Sequence, residues 1–224
     1  MINTERRRTT AETNRRAAPR VNRIINTFPW GFRHGKASAA QIQSFLQQAI
    51  DARLTTVNTS VGLRAFLDTY GIGVDCSGFT SQGYNSLIGD MGLDHEAMNV
   101  NDTGSGSFRD ASTSFTAVAS PADLKPGDAM FLENGTIDHV RLVQNVTLTE
   151  TGVDFVTIES RGGQGPDQRH WRYTSQTEFT GLQLSSDGGT TYEAVTEQPE
   201  FNRFDALYPA EEAPAADAPA TGPQ

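Results

Sequence analysis

Cysteine is almost absent from this sequence, with Cys76 alone among 224 residues. A single cysteine excludes an intramolecular disulfide, so packing must hold the fold together. A chain of this length can bury a sufficient core without cross-links. Any chemistry that needs a thiol must therefore depend on Cys76.

Long apolar runs are also missing. No stretch approaches the ~20 apolar residues that a membrane-spanning helix needs. The N-terminus is rich in arginine but carries no apolar segment, so no Sec-type signal peptide is visible.

Positive charge is scarce beyond the N-terminus. Residues 1–23 carry seven Arg and two Glu, for a net charge of +5. The rest of the chain has a net charge of −14, which gives −9 for the whole chain. Because phosphate is bound by clustered cations, the acidic body argues against nucleic acid as the main ligand. We interpret 1–23 as a disordered basic arm, 24–208 as one folded domain, and 209–224 as a disordered tail rich in Pro, Ala and Glu.

Apolar residues recur at helical spacing in three segments. Ser38 is predicted to cap the first helix, and Ser60 a second that ends near Tyr70 with Gly71 at the position after the cap. A third helix is predicted from Cys76 to Leu87, closed by Gly89. The polar stretch 92–121 that follows is either one wall of a substrate groove or a passive surface insertion.

Strand-like alternation begins after Pro126-Gly127. Segments 129–133 and 136–143 flank Asn134-Gly135, the strongest short signal for a two-residue hairpin turn. Further strands are predicted over 153–160, 170–174, 182–185 and 204–208. Helices followed by antiparallel strands predict an α+β fold.

Cys76 stands at the predicted start of the third helix. The positive end of the helix dipole stabilises a thiolate relative to a thiol, and the thiolate is the reactive nucleophile. Free cysteines are also among the most buried residues, so a structural role is the alternative. The position alone leaves both interpretations open.

The string Asp75-Cys76-Ser77-Gly78-Phe79 resembles the DCSGF/L box of the NlpC/P60 cysteine peptidases, a papain-like family that cuts bacterial peptidoglycan. A second family signature is a Leu-x-Pro-Gly-Asp turn, a strand and then a His-Val pair, matched here by residues 124–128, 129–132 and His139-Val140. The resemblance covers roughly residues 60 to 165. It implies a papain-like fold in which N-terminal helices pack on an antiparallel sheet.

The resemblance also implies roles for particular residues. Cys76 corresponds to the nucleophile, His139 to the base, and Glu159 to the group that orients the base, although a shift of one residue would substitute Ser160. Candidate substrate-binding residues are Asp75, Ser77 and Arg141, which stands where the family usually has glycine. Arg141 could bind a substrate carboxylate, pair with Glu159 or lie exposed at the sheet edge.

The implied activity is a metal-independent cysteine peptidase or amidase that acts on peptidoglycan stem peptides, most often at the γ-D-glutamyl–diamino acid bond. No HExxH, CxxC or GxxxxGK[ST] motif is present, so we expect neither a metal nor a nucleotide cofactor. No wall-binding repeat is apparent, so targeting falls to the groove, a fused region or a delivery partner. Since no Sec-type signal is visible, action at the cell wall implies a phage or secretion-system origin, or a processed or larger polypeptide. Two alternatives remain: thiol amidase or acyltransferase chemistry on another substrate, or a non-catalytic module of a phage or secretion particle.

Overall fold

The computed structural model describes residues 18–55, 59–109, 114–133, 138–161 and 165–209. Within these residues, helices come first and an open antiparallel sheet of eight strands follows. The α+β class predicted from the sequence is therefore confirmed. The helices are α1 (18–25), α2 (Ala39–Asp51), α3 (Ser60–Thr69) and α4 (Cys76–Asp90).

Helix α1 corrects the predicted N-terminal boundary. Residues 18–23 belong to a helix rather than to a disordered arm, since Val21 and Ile25 are buried against Phe32 and Phe45 in one apolar cluster. Two apolar residues four apart lie on the same helical face, so even a short polar segment can bury them. Predictions for residues 1–17 and 210–224 lie outside the described residues.

The helix ends follow local capping rules. Ser38 caps α2 as predicted, and its side chain and that of Gln41 form a reciprocal capping box. For α3 the cap is Thr59 rather than Ser60, while Gly71 follows it with a positive φ of 65° as expected. Helix α4 runs to Asp90, beyond the predicted stop at Gly89, because Gly92 is the glycine that adopts the left-handed conformation.

The sheet has the strand order β1-β8-β2-β3-β4-β5-β6-β7. Its strands are β1 (Phe115–Ala117), β2 (Ala129–Glu133), β3 (Asp138–Leu148), β4 (Val153–Arg161), β5 (Gly165–Tyr173), β6 (Leu182–Ser185), β7 (Glu193–Ala194) and β8 (Glu200–Phe204). The central strands β2 to β5 are antiparallel neighbours in sequence order. The Asn134-Gly135 turn predicted between β2 and β3 lies outside the described residues.

The strand predictions hold best where apolar residues alternate. Strands β2, β4 and β6 are confirmed, and β3 and β5 are longer than predicted because their polar ends still pair with neighbours. The strand expected at 204–208 was placed too late. Phe201 and Phe204 point inward from β8, and residues Asp205–Leu207 form a 3-10 turn.

The connection 92–121 is partly a core element rather than only surface. Phe108, in a 3-10 turn, and Phe115, in β1, pack with Tyr84 of α4 in one buried cluster. Neither prediction for this stretch foresaw these two aromatic anchors. Its polar part is linked to the start of α4 through Lys36. The ammonium of Lys36 donates hydrogen bonds to the carbonyl of Thr103 and to Asp75, the residue before α4.

Candidate active site

Cys76 is the first residue of α4 and is half-buried. Asp75 caps the helix, because its carboxylate accepts a hydrogen bond from the Gly78 N–H at 2.6 Å. Gly78 itself allows the Gly35 carbonyl to lie against the helix, where a Cβ would collide with it. The box therefore combines a cap, a thiol and a close backbone approach within four residues.

Lys36 supports this helix start from a distant part of the sequence. Its ammonium donates to Asp75 Oδ1 at 3.1 Å, to Ser77 Oγ and to the Thr103 carbonyl, and its side chain is only 9 % exposed. Lys36 also forms an isolated β-bridge with Val74. Sequence reasoning missed this residue, because nothing local distinguishes it from a surface lysine.

His139 and Glu159 come together on neighbouring strands β3 and β4. The His139 Nε2 and Glu159 Oε2 atoms are 2.5 Å apart, and Glu159 is fully buried. Since Nε2 is engaged, the other ring nitrogen of His139 is left to interact with the Cys76 thiol, and this interaction shifts the pKa of both groups. The structure thus joins the three residues that the resemblance singled out into one chain of contacts.

This arrangement favours the thiolate–imidazolium form of the pair. Burial alone raises the pKa of Cys76, but hydrogen bonds from His139 and the Val140 N–H outweigh it, and the net pKa is lowered. Burial lowers the pKa of His139, but its hydrogen bonds to Cys76 and Glu159 leave that pKa raised, against an opposing effect of Arg141. The two directions agree, since each charge stabilises the other.

Glu159 is held ionised by cations as well as by the histidine. Arg141 Nε donates to Oε2 at 2.7 Å, and Arg169 Nε donates to Oε1 at 2.9 Å. Burial raises the pKa of Glu159, but the hydrogen bond with His139 and the charge of Arg141 lower it to about 2. A buried carboxylate with these partners is a fixed acceptor that sets the orientation of the imidazole.

The position of Arg141 corrects the suggestion that it binds substrate. Only 5 % of the residue is exposed, and its guanidinium stacks on Trp171 at 5.0 Å and lies 3.7 Å from Glu197. Alternation along β3 puts it on the same face as His139, and its side chain is buried there. Of the three alternatives for Arg141, pairing with Glu159 is the one that the structure contains.

The other candidate binding residues support the helix start. Ser77 is 4 % exposed and bonds with Lys36 and Asp75, while the Asp75 side chain keeps 42 % of its surface exposed. Ser160 donates to the Val74 carbonyl and ties β4 to the segment before Cys76. It is Glu159 rather than Ser160 that contacts His139.

The altered thiol pKa gives a direct prediction. We expect iodoacetamide to alkylate Cys76 faster than it alkylates the thiol of glutathione near neutral pH. The alkylation rate of Cys76 should also begin to rise at a lower pH than that of a free thiol. His139→Ala should shift this rise toward the pH at which a free thiol reacts, because the variant loses the interaction with His139 that lowers the pKa of Cys76. Rates measured by mass spectrometry across pH test this, and an unperturbed profile for the native protein would contradict it.

A scan against protein-family models gives no match for this chain. Searches of curated proteins and of solved structures likewise give no match. The likeness to NlpC/P60 peptidases therefore rests on the two sequence boxes.

We also searched the described part of the chain for a metal site, a membrane-spanning helix and a cavity away from Cys76. No three His, Cys, Asp or Glu side chains there are grouped to hold a metal ion. None of the described helices combines the length and apolar character needed to cross a membrane. An apolar cavity of about 460 Å³ lies along the second half of α4, against Leu142 and Leu207, and neither Cys76 nor His139 lines it.

Proposed function

We propose that this protein is a cysteine hydrolase that cleaves amide bonds in peptidoglycan stem peptides. The observation that carries the proposal is the contact chain from the Cys76 thiol through His139 to a buried, ionised Glu159. A thiol nucleophile needs a base and a group that orients the base, and the three residues supply these parts. A purely structural module has no need to bury a carboxylate beneath a histidine that contacts a thiol.

The chemistry follows from the ion pair. The Cys76 thiolate attacks the amide carbon and forms a C–S bond, while the carbonyl oxygen takes the negative charge. Backbone N–H groups at the start of α4, including that of Cys76, have no helical partner and can stabilise this oxyanion. As the tetrahedral species collapses, the C–N bond breaks and the His139 imidazolium gives its proton to the leaving amine.

The resulting thioester is then opened by water. His139, now neutral, takes a proton from the water as its oxygen attacks the thioester carbon. The C–S bond breaks, the thiolate leaves and the imidazolium is restored, so the ion pair is ready for another cycle. Glu159 accepts a hydrogen bond from the imidazole throughout and stays ionised, because its pKa is held at about 2.

The substrate class comes from the resemblance. The boxes around Cys76 and His139 match those of enzymes that cut stem peptides, most often between γ-D-glutamate and the diamino acid. Two features that the family usually has are absent here. One is a Pro-Tyr pair about a dozen residues before the cysteine, where this chain has only Tyr70, six residues before it; the other is the glycine that Arg141 replaces. These differences leave the general reaction unchanged and bear on the choice of bond.

Purified peptidoglycan separates this proposal from the alternatives. We expect the native protein to release stem-peptide fragments with new amino termini, identified by mass spectrometry, and Cys76→Ala to release none. His170→Ala serves as a control, since His170 lies on β5 and pairs with Val156 and Ser185 rather than with the site. Intact sacculi after treatment with native protein would overturn the wall substrate.

A further inference from the structure

Two arginines converge at the end of the β4–β5 pair, beside the proposed catalytic residues. Arg161 stands opposite Gly165 in the register of these strands. A Cβ placed on Gly165 would lie 3.1 Å from Arg64 Nη2, so the guanidinium of α3 covers this glycine. Side chains that face each other across antiparallel strands start ~5 Å apart. The Arg64 guanidinium therefore covers the position that faces Arg161 in the register.

These two cations are poorly neutralised. The nearest carboxylate oxygen to Arg161 is Glu159 Oε1, 3.8 Å from Nη1, and this carboxylate is already bonded to Arg141, Arg169 and His139. Within the described ranges, Arg64 has no ion pair or hydrogen bond. Arg64 is exposed, and the Arg161 side chain is 34 % exposed, so both can reach a bound molecule.

The position of this pair relates it to the thiol. Arg161 and Glu159 are two residues apart and share one face of β4, and Glu159 in turn contacts His139. A single carboxylate therefore separates Arg161 from the imidazole that contacts Cys76. The rest of the body is strongly acidic, so a local cationic patch will attract an anion that other surfaces repel.

We propose that Arg64 and Arg161 form a subsite for a carboxylate of the molecule that Cys76 attacks. Guanidinium groups bind carboxylates in a planar, paired geometry, and two side by side can share one such anion. The identity of the substrate rests on the proposed function: stem peptides carry free carboxylates close to their scissile bonds. The charge-reading role expected of Arg141 thus belongs to two more accessible arginines.

Alkylating agents of different charge probe this subsite without any peptide. Iodoacetate and iodoacetamide attack the same thiol, but only iodoacetate carries a carboxylate. We expect Arg64→Gln and Arg161→Gln each to lower the iodoacetate-to-iodoacetamide rate ratio at Cys76 by about threefold or more, and high salt to weaken the effect. Arg172→Gln is the matched control, since it removes the same charge from a residue of β5 that pairs with Asp154.

The same rate ratio in the native protein and in all three variants would overturn the subsite. A fall of the ratio in the Arg172→Gln control as large as in the other two variants would also overturn it. A second measurement uses Cys76→Ala and calorimetry, with a stem peptide in its free-acid and amidated forms. The free acid should bind more tightly, and Arg64→Gln should remove that preference; equal binding of both forms contradicts the proposal. If the iodoacetate-to-iodoacetamide ratio depends on the two arginines but no stem peptide is cleaved, the carboxylate subsite is supported and the peptidoglycan substrate is ruled out.

Discussion

His139→Ala is expected to lower kcat/KM by at least ~10³-fold, nearly as much as Cys76→Ala. The imidazole both stabilises the thiolate and protonates the leaving amine, so its loss removes two functions at once. Because the two residues act as a unit, the double variant should be scarcely worse than either single one. Kinetics on a synthetic stem peptide measure this directly.

His170→Ala provides the comparison, since it changes a histidine of the same sheet whose strand partners are Val156 and Ser185. Its kcat/KM should stay near that of the native protein. Additive losses in the Cys76 and His139 double variant would mean that the two residues do not work as one pair. Full activity of His139→Ala would remove the histidine from the mechanism.

Glu159→Gln is expected to damage stability as well as activity. His139, Arg141 and Arg169 all bond to this one carboxylate, which is fully buried. An amide of the same shape leaves the arginine charges without their anion, and removing one partner of a buried ion pair costs about 3 kcal/mol. Chemical denaturation measures that loss, and a fall in kcat should accompany it.

Acid should reproduce part of this effect in the native protein. Because the pKa of Glu159 is depressed to about 2 from an ordinary value near 4.5, its contribution to stability is full above about pH 4.5 and disappears as the pH falls through 2. Glu159→Gln should lack this component of the acid dependence. Ser160→Ala, which removes only the hydrogen bond to Val74, should retain it. An acid dependence that is unchanged in Glu159→Gln would contradict its assignment to this carboxylate.

The parts of the site that were predictable are those encoded locally. The cap, the thiol and the close glycine of the Cys76 box lie within four residues, and the strand pair β2–β3 that carries His139 follows strand alternation. Their geometry depends on short-range sterics and hydrogen bonding, which the sequence displays directly. The α+β class follows from the same patterns.

The supporting cations could not be predicted, because they reach the site through long-range pairing. Arg169 meets Glu159 only when β5 pairs with β4 in one register, and the first half of β5 is polar and begins near Pro166. Lys36 precedes Cys76 by two helices. The burial of Arg141 depends on Trp171, which belongs to β5. No local pattern marks any of these partners.

The most direct test of the central claim is whether Cys76 carries the acyl group during turnover. A stem peptide whose scissile amide is replaced by an activated chromogenic amide should give a burst of chromophore equal to the enzyme present, followed by slower steady release. Mass spectrometry of acid-quenched protein should place the acyl adduct on Cys76, and Cys76→Ala should show neither burst nor turnover. Steady cleavage by Cys76→Ala at the native rate would contradict the account.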